Sequence, residues 1–163
     1  KTLKKRKQEL IAQLKEGANR NIAGSKIEPI WGTASFVNAN SISVNDEIIS
    51  AGQFVIATGS VHKPHPLLRV DGKKIVSSQE VFELDELPSS LLIIGGGAIG
   101  CEFATFFNSL GVHVHIAEFM PNIIPAEDDD IAGELRRELE ARGIEISLET
   151  SVTSYRQVRG ELL

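Results

Sequence analysis

Leu91-Leu92-Ile93-Ile94-Gly95-Gly96-Gly97-Ala98-Ile99-Gly100 carries an apolar run straight into a glycine-rich turn. Four consecutive apolar residues without polar alternation read as a strand covered on both faces, as in a parallel sheet, with Pro88-Ser89-Ser90 marking its start. A helix pattern follows at once. Ile99, Phe103, Phe106, Phe107 and Leu110 keep helical spacing, and Gly111 stands where a helix-terminating glycine belongs. The unit is strand, Gly95-x-Gly97-x-x-Gly100, helix.

Each glycine in that spacing has a physical task. The first permits the tight turn, the second lets a pyrophosphate approach bare backbone, and the third lets helix and strand pack closely. Free N–H groups at the helix start, with the helix dipole behind them, suit phosphates. A glycine turn alone is weak evidence, but here a second strand follows, Val112-His113-Val114-His115-Ile116-Ala117, ending in Glu118 eighteen residues after Gly100. An acid at that strand tip is placed to bond the ribose hydroxyls of an adenine dinucleotide, and it would repel a 2′-phosphate. The next residues, Phe119-Met120-Pro121-Asn122, offer no Arg or Lys to receive such a phosphate. The expected ligand is NAD rather than NADP.

Composition sets the bounds. The 163 residues are 42% hydrophobic and 24% charged with a net charge of −5, values of an ordinary globular chain without a general basic field for nucleic acid. The basic cluster Lys1, Lys4, Lys5, Arg6 and Lys7 reads as a solvated helix face. No apolar run approaches the ~20 residues that span a bilayer, and the Lys-rich start lacks the apolar stretch of a signal peptide. The expected location is the cytoplasm, or an organelle matrix after processing. One cysteine, Cys101, excludes an internal disulfide and reads as a small packing residue in the glycine-loop helix.

Residues 1–23 read as a helix with a loose stripe of Leu3, Leu10, Ile11, Leu14, Ala18 and Ile22, ended by Gly24. From Ile27 to Ser60 short β runs alternate with Asn38, Asn40, Asn45 and Asp46, predicting an antiparallel meander that feeds a buried strand, Phe54-Val55-Ile56-Ala57, and the turn Thr58-Gly59-Ser60. Residues 61–76, with Pro64, Pro66 and Gly72, form a connector, and Ser77-Ser78-Gln79-Glu80 opens a short helix through Phe82 and Leu84 with a capping-box pattern. Glu127-Asp128-Asp129-Asp130 precedes a helix with Ile131, Leu135 and Leu139; acids there suit the helix dipole, and no ordered metal-ligand spacing is present. Gly143 ends that helix, Ile144 to Leu148 is a third strand, Ser151 to Val158 a fourth, and Gly160 turns the chain back. A stop at Leu163, in a returning strand, and a start on Lys suggest a piece of a longer protein.

Together these motifs resemble one family, the flavin-dependent pyridine nucleotide-disulfide oxidoreductases, and within it the dihydrolipoamide dehydrogenase branch. The likeness rests on Trp31-Gly32-Thr33-Ala34-Ser35-Phe36, on Phe54-Val55-Ile56-Ala57-Thr58-Gly59-Ser60, and on the stretch from Leu92 to Ala104, all in the family's order. Ala98 stands where glutathione-type reductases place an aromatic residue over the nicotinamide pocket, which favours the lipoamide branch. The resemblance implies an α/β architecture: a Rossmann-like, three-layer ββα dinucleotide-binding domain plus a partial FAD-domain segment with a helix and a meander. The division it implies is 1–76 for the tail of the FAD domain and 77–163 for the NAD domain.

It also implies site residues. Gly95, Gly96, Gly97, Ala98, Ile99, Gly100, Glu118, Phe119 and Val152 would meet NAD, while Thr33, Ala34, Ala57, Thr58 and Gly59 would lie toward FAD. Glu102, on the edge of the helix stripe and expected to point partly inward, would be half of an ion pair beside the nicotinamide; a plain first-turn carboxylate is the other reading. In such a parent, electrons pass from dihydrolipoamide through a cysteine pair and FAD to NAD, in a homodimer that can join a 2-oxoacid dehydrogenase complex. The redox cysteines and the His-Glu base of that family have no counterpart here, and Cys101 cannot substitute, because disulfide exchange needs a second thiol. No catalytic residue is therefore assigned, and the chain alone is expected to be inactive. A mercuric reductase, an NADH oxidase, a soluble transhydrogenase or a stand-alone dinucleotide-binding module remain the alternatives.

Overall fold

The computed structural model describes residues 2–158 and 161–162. By internal contacts the chain separates into two units, residues 1–61 and 62–163.

The first unit begins with helix α1, Thr2–Ala23. It runs on through Gly17 and ends where Gly24 N–H donates to the Arg20 carbonyl. The expected stripe is present but not buried: Leu3, Leu10, Ile11 and Leu14 are all exposed. Three strands follow, β1 (Ala34–Asn38), β2 (Ser41–Val44) and β3 (Glu47–Ser50), in an antiparallel meander of order β1-β2-β3. The β2–β3 turn follows directly from sequence. Val44 pairs with Glu47, leaving Asn45 and Asp46 as a two-residue loop, and both hold positive φ (50° and 66°). Asn and Asp tolerate that conformation, whose twist matches the hairpin. Asn45 Nδ2 then donates to the Trp31 carbonyl at 2.7 Å, holding the entry to β1.

The strand expected at Phe54-Val55-Ile56-Ala57 does not form. Val55 and Ile56 are 92% and 72% exposed, and the strands of this unit pair only with one another. An apolar run marks surface that can be buried, but a strand also needs a neighbour to take its backbone hydrogen bonds. Only Phe54 engages, edge-on to Phe36 with ring centroids 5.3 Å apart.

In the second unit, β4 (Ser90–Ile94), α2 (Ala98–Ser109), β5 (His113–Ala117), α3 (Asp129–Ala141) and β6 (Glu145–Ser147) alternate. The strands form one parallel sheet of order β4-β5-β6. Cys101, Ala104 and Phe107 of α2, Leu139 of α3, and Val114 and Ile116 of β5 share a single core, so both helices cover the same sheet face. A fully buried side chain such as Ile116 contributes about 1.5–3 kcal/mol. Gly111 and Gly143 follow the C-caps of α2 and α3 at φ 84° and 83°, as a terminating glycine should.

The opposite sheet face departs from expectation. Leu91 and Ile93 pack on the core, whereas Leu92 and Ile94 are 52% and 41% exposed. β4 is thus covered on one face by these helices, and its unbroken apolar run reflects a second face with no cover among the described residues. His113 and His115 alternate with Val114 and Ile116 and lie on that open face, where His115 Nε2 is 2.9 Å from Ser147 Oγ.

The expected helix at 77–84 is only a 3-10 turn, Val81–Glu83. Its start does show half of a capping box, since Glu80 accepts from the Ser77 N–H at 2.9 Å. The turn is held by packing instead, with Val81 buried and Phe82 against Phe103 and Phe106 at 5.2 and 5.9 Å. On α3 the inward stripe is Ala132, Leu135 and Leu139, while Ile131 is exposed. The fourth strand shrinks to β7 (Gln157–Val158), paired antiparallel with β8 (Glu161–Leu162). Gly160 lies outside the described residues. No helix among the described residues is long and apolar enough to cross a membrane.

Candidate functional site

The glycine turn joins the C-terminal end of β4 to the start of α2, and its glycines are constrained in different ways. Gly95 sits at φ 105°, a conformation that side chains rarely adopt. At Gly100 a Cβ would stand 2.1 Å from the Gly95 carbonyl oxygen, so helix and strand touch backbone to backbone. Gly97 is the N-cap of α2, and a Cβ there would meet nothing within 4 Å. The three positions answer to tight turn, close packing and open approach. Gly96 is a fourth constraint that the motif spacing did not assign: its Cβ would come within 2.8 Å of Ile123 Cγ2.

Helix α2 has no acidic residue in its first turn and no side-chain cap. Its N-terminal end thus carries no side-chain cap and no acid of its own, beside exposed Ala98 and Ile99, which suits an anion.

Beside the turn lies a cleft of about 260 Å³, lined by Gly95, Glu118, Phe119 and Val152 among others. Folding thus brings four of the expected residues to one place. Glu118 follows β5 and is 7% exposed. Its carboxylate is already engaged: Oε2 accepts from the Gly96 N–H at 2.5 Å and Oε1 from the Met120 N–H at 2.7 Å. A carboxylate offers about four lone-pair positions, so two remain for a ligand. The same negative charge, after burial itself, pushes the Cys101 thiol above its ordinary range.

His65, Thr150 and Ser151 also line the cleft and were not singled out by sequence. Thr150 N–H donates to the Glu118 carbonyl at 2.8 Å, tying the end of β6 to the tip of β5. No motif marks these positions, because they reach the cleft only through chain reversals.

Glu102 is not part of the cleft. It is exposed on α2 rather than turned partly inward, and it borders a separate depression with Ala98, Thr105 and Phe106. Buried Cys101 and half-buried Phe103 flank it, so the helix turns its core face away from Glu102. Thr33, Ala34, Ala57, Thr58 and Gly59 belong to the first unit and are exposed, with Ala34 opening β1 and Gly59 at φ 73°.

Comparison with known proteins shows the family. The family described as pyridine nucleotide-disulphide oxidoreductase matches residues 1–162. Dihydrolipoyl dehydrogenase from Bacillus subtilis is 39% identical over 148 residues, which are 88% of this chain and 32% of that protein. The mitochondrial dihydrolipoyl dehydrogenase of Schizosaccharomyces pombe is 35% identical over 156 residues, covering 92% and 30%. Among solved structures, the HOCl-induced flavoprotein disulfide reductase RclA from Escherichia coli superposes with a TM-score of 0.83 at 31% identity, over 98% of this chain and 37% of that one. The chain spans about a third of the length of these relatives. The chain belongs to the pyridine nucleotide-disulphide oxidoreductases, a family of FAD-dependent oxidoreductases with a Rossmann-like fold.

Proposed function

We propose that this chain is the NAD-binding central segment of a dihydrolipoamide dehydrogenase-type enzyme. The observation that carries the reading is the placement of Glu118 in one cleft with Gly95, next to a helix start whose Gly97 leaves open space for a phosphate. The residues fit an adenine dinucleotide. Gly97 and the first amides of α2 would take the pyrophosphate, Glu118 the adenosine ribose through its free lone pairs, and Phe119 and Val152 the apolar surface of the adenine.

NAD held there supplies the hydride acceptor, and this chain contributes orientation and charge. Glu118 places a negative group where a 2′-phosphate would come, which selects NAD over NADP. Glu102, exposed one turn into α2, is available to an ion-pair partner from elsewhere in a longer protein. Thr33, Ala34, Ala57, Thr58 and Gly59, exposed in the first unit, would lie toward FAD in the longer protein.

In this reading residues 1–76 belong to the FAD domain and 77–163 to the NAD domain of a parent that dimerises and can serve a 2-oxoacid dehydrogenase complex. With one cysteine, the chain alone turns over no disulfide. The test is a parallel fluorescence titration with NADH and NADPH. Saturable NADH binding with NADPH at least about tenfold weaker, ~1.4 kcal/mol, supports the assignment. Equal affinity would remove Glu118 as the selector.

A further inference from the structure

We propose that Glu118 is a positioning residue for the glycine turn, not only a reader of the ribose; the idea rests on reading the cleft as a dinucleotide site. The evidence is how Gly96 is held. Its N–H, twenty-two residues before Glu118 in sequence, donates to Oε2 at 2.5 Å. Its carbonyl accepts from the Ile124 N–H at 2.7 Å and from Cys101 Sγ at 3.4 Å. Gly95 N–H donates to the Ala117 carbonyl at 2.9 Å. Gly96 is thereby held through both its N–H and its carbonyl, and the β5–α3 loop supplies two of these four bonds, from Glu118 and Ile124.

That loop is itself held in an unfavourable shape. Ile124 adopts φ 41°, a region that β-branched residues avoid, and its amide is the one bonded to Gly96. The other Glu118 oxygen accepts from Met120 N–H at 2.7 Å, so one carboxylate joins the glycine turn to the start of the loop. Gly96 is buried, and its N–H has no other acceptor among the described residues. Charge-assisted bonds of this kind are the strong ones, and a buried donor left without its partner is costly.

The consequence concerns cofactor selection. If Glu118 only repelled a 2′-phosphate, neutralising it would relax selection and improve NADPH binding. Because the carboxylate also holds Gly96, Glu118→Gln points an NH₂ group at one of the two amide donors and loosens the turn that both nucleotides need. NADH and NADPH should then weaken together.

The experiment uses the full 163-residue chain, isotope-labelled, in wild-type and Glu118→Gln forms. Amide exchange is followed at Gly96 and Met120, with Ile116 in the middle of the sheet as the fold control. In E118Q the Gly96 or Met120 amide should exchange at least about tenfold faster with Ile116 unchanged, and both dissociation constants should rise, that of NADH about tenfold and that of NADPH by less, because it also escapes the repulsion of its 2′-phosphate. Unchanged exchange at both amides, or NADPH tightening as NADH weakens, overturns the proposal. Should E118Q also lose Ile116 protection, the wild-type Gly96 proton decides: a strongly downfield resonance supports the bond to Glu118, and a random-coil position overturns it. If the wild-type chain binds neither nucleotide, the dinucleotide reading fails, while the exchange arm still decides whether Glu118 holds the turn.

Discussion

The space that a Cβ on Gly100 would need is occupied by the carbonyl oxygen of Gly95, 2.1 Å away. The end of β4 and the first turn of α2 therefore meet backbone to backbone, and the obstacle is not a flexible side chain that could swing aside. Gly100→Ala should cost about 1–3 kcal/mol by overpacking. Thermal unfolding followed by circular dichroism checks this, and an unchanged midpoint would show that the turn can relax away from the helix.

Gly97 offers the opposite case within the same motif. It is the N-cap of α2 at φ −69° and ψ 179°, which alanine can adopt, and a Cβ there meets nothing within 4 Å. Gly97→Ala should shift stability by less than about 0.5 kcal/mol. It should nonetheless weaken NADH at least about tenfold, since the methyl fills the space a pyrophosphate needs. Thermal unfolding and NADH titration on the same sample separate the two effects. Intact NADH affinity would place the phosphates elsewhere.

Cys101 is buried, and burial together with the Glu118 carboxylate pushes its thiol above the ordinary value of 9.0. The thiolate is the reactive form, so the native chain should react with iodoacetamide at pH 8 far more slowly than the same chain in denaturant. A comparison of the two alkylation rates by mass spectrometry checks this. Equal rates would mean that the core around α2 opens readily.

Asp71 Oδ1 accepts from the amides of Lys73, Lys74 and Ile75 at 2.8, 2.8 and 2.9 Å. The Ile75 and then the Lys73 bond lower its pKa below the ordinary 3.8. A carboxylate depressed in this way stabilises its turn above the unfolded value and loses that contribution as pH falls through the lower, folded one. The three amide resonances should titrate together with a midpoint below 3.8, and Asp71→Asn should abolish the titration. A midpoint at or above 3.8 would contradict the turn geometry.

Much of the second unit was legible in its sequence because its signals are local. The glycine spacing Gly95, Gly97, Gly100 encodes three backbone requirements within six residues, and the terminating glycines Gly111 and Gly143 announce conformations that other residues avoid. The position of Glu118 at a strand tip follows from counting. Its engagement by Gly96 and Met120 does not, because those bonds depend on how the β5–α3 loop folds back over the turn.

Elsewhere local pattern misled where a partner had to be supplied from a distance. Phe54-Val55-Ile56-Ala57 has the composition of a buried strand, yet Val55 and Ile56 are exposed, and Leu92 and Ile94 leave one face of β4 open. By itself the sequence determined the helices α1, α2 and α3, the β2–β3 hairpin turn and the need for glycine at Gly95 and Gly100, since those depend on dihedral preferences and spacing within a few residues. Tertiary structure alone decided that His65, Thr150 and Ser151 share a cleft with Glu118 and that Glu102 does not. Burial and hydrogen-bond partnership are properties of surfaces brought together across the chain, and no residue's own chemistry specifies them.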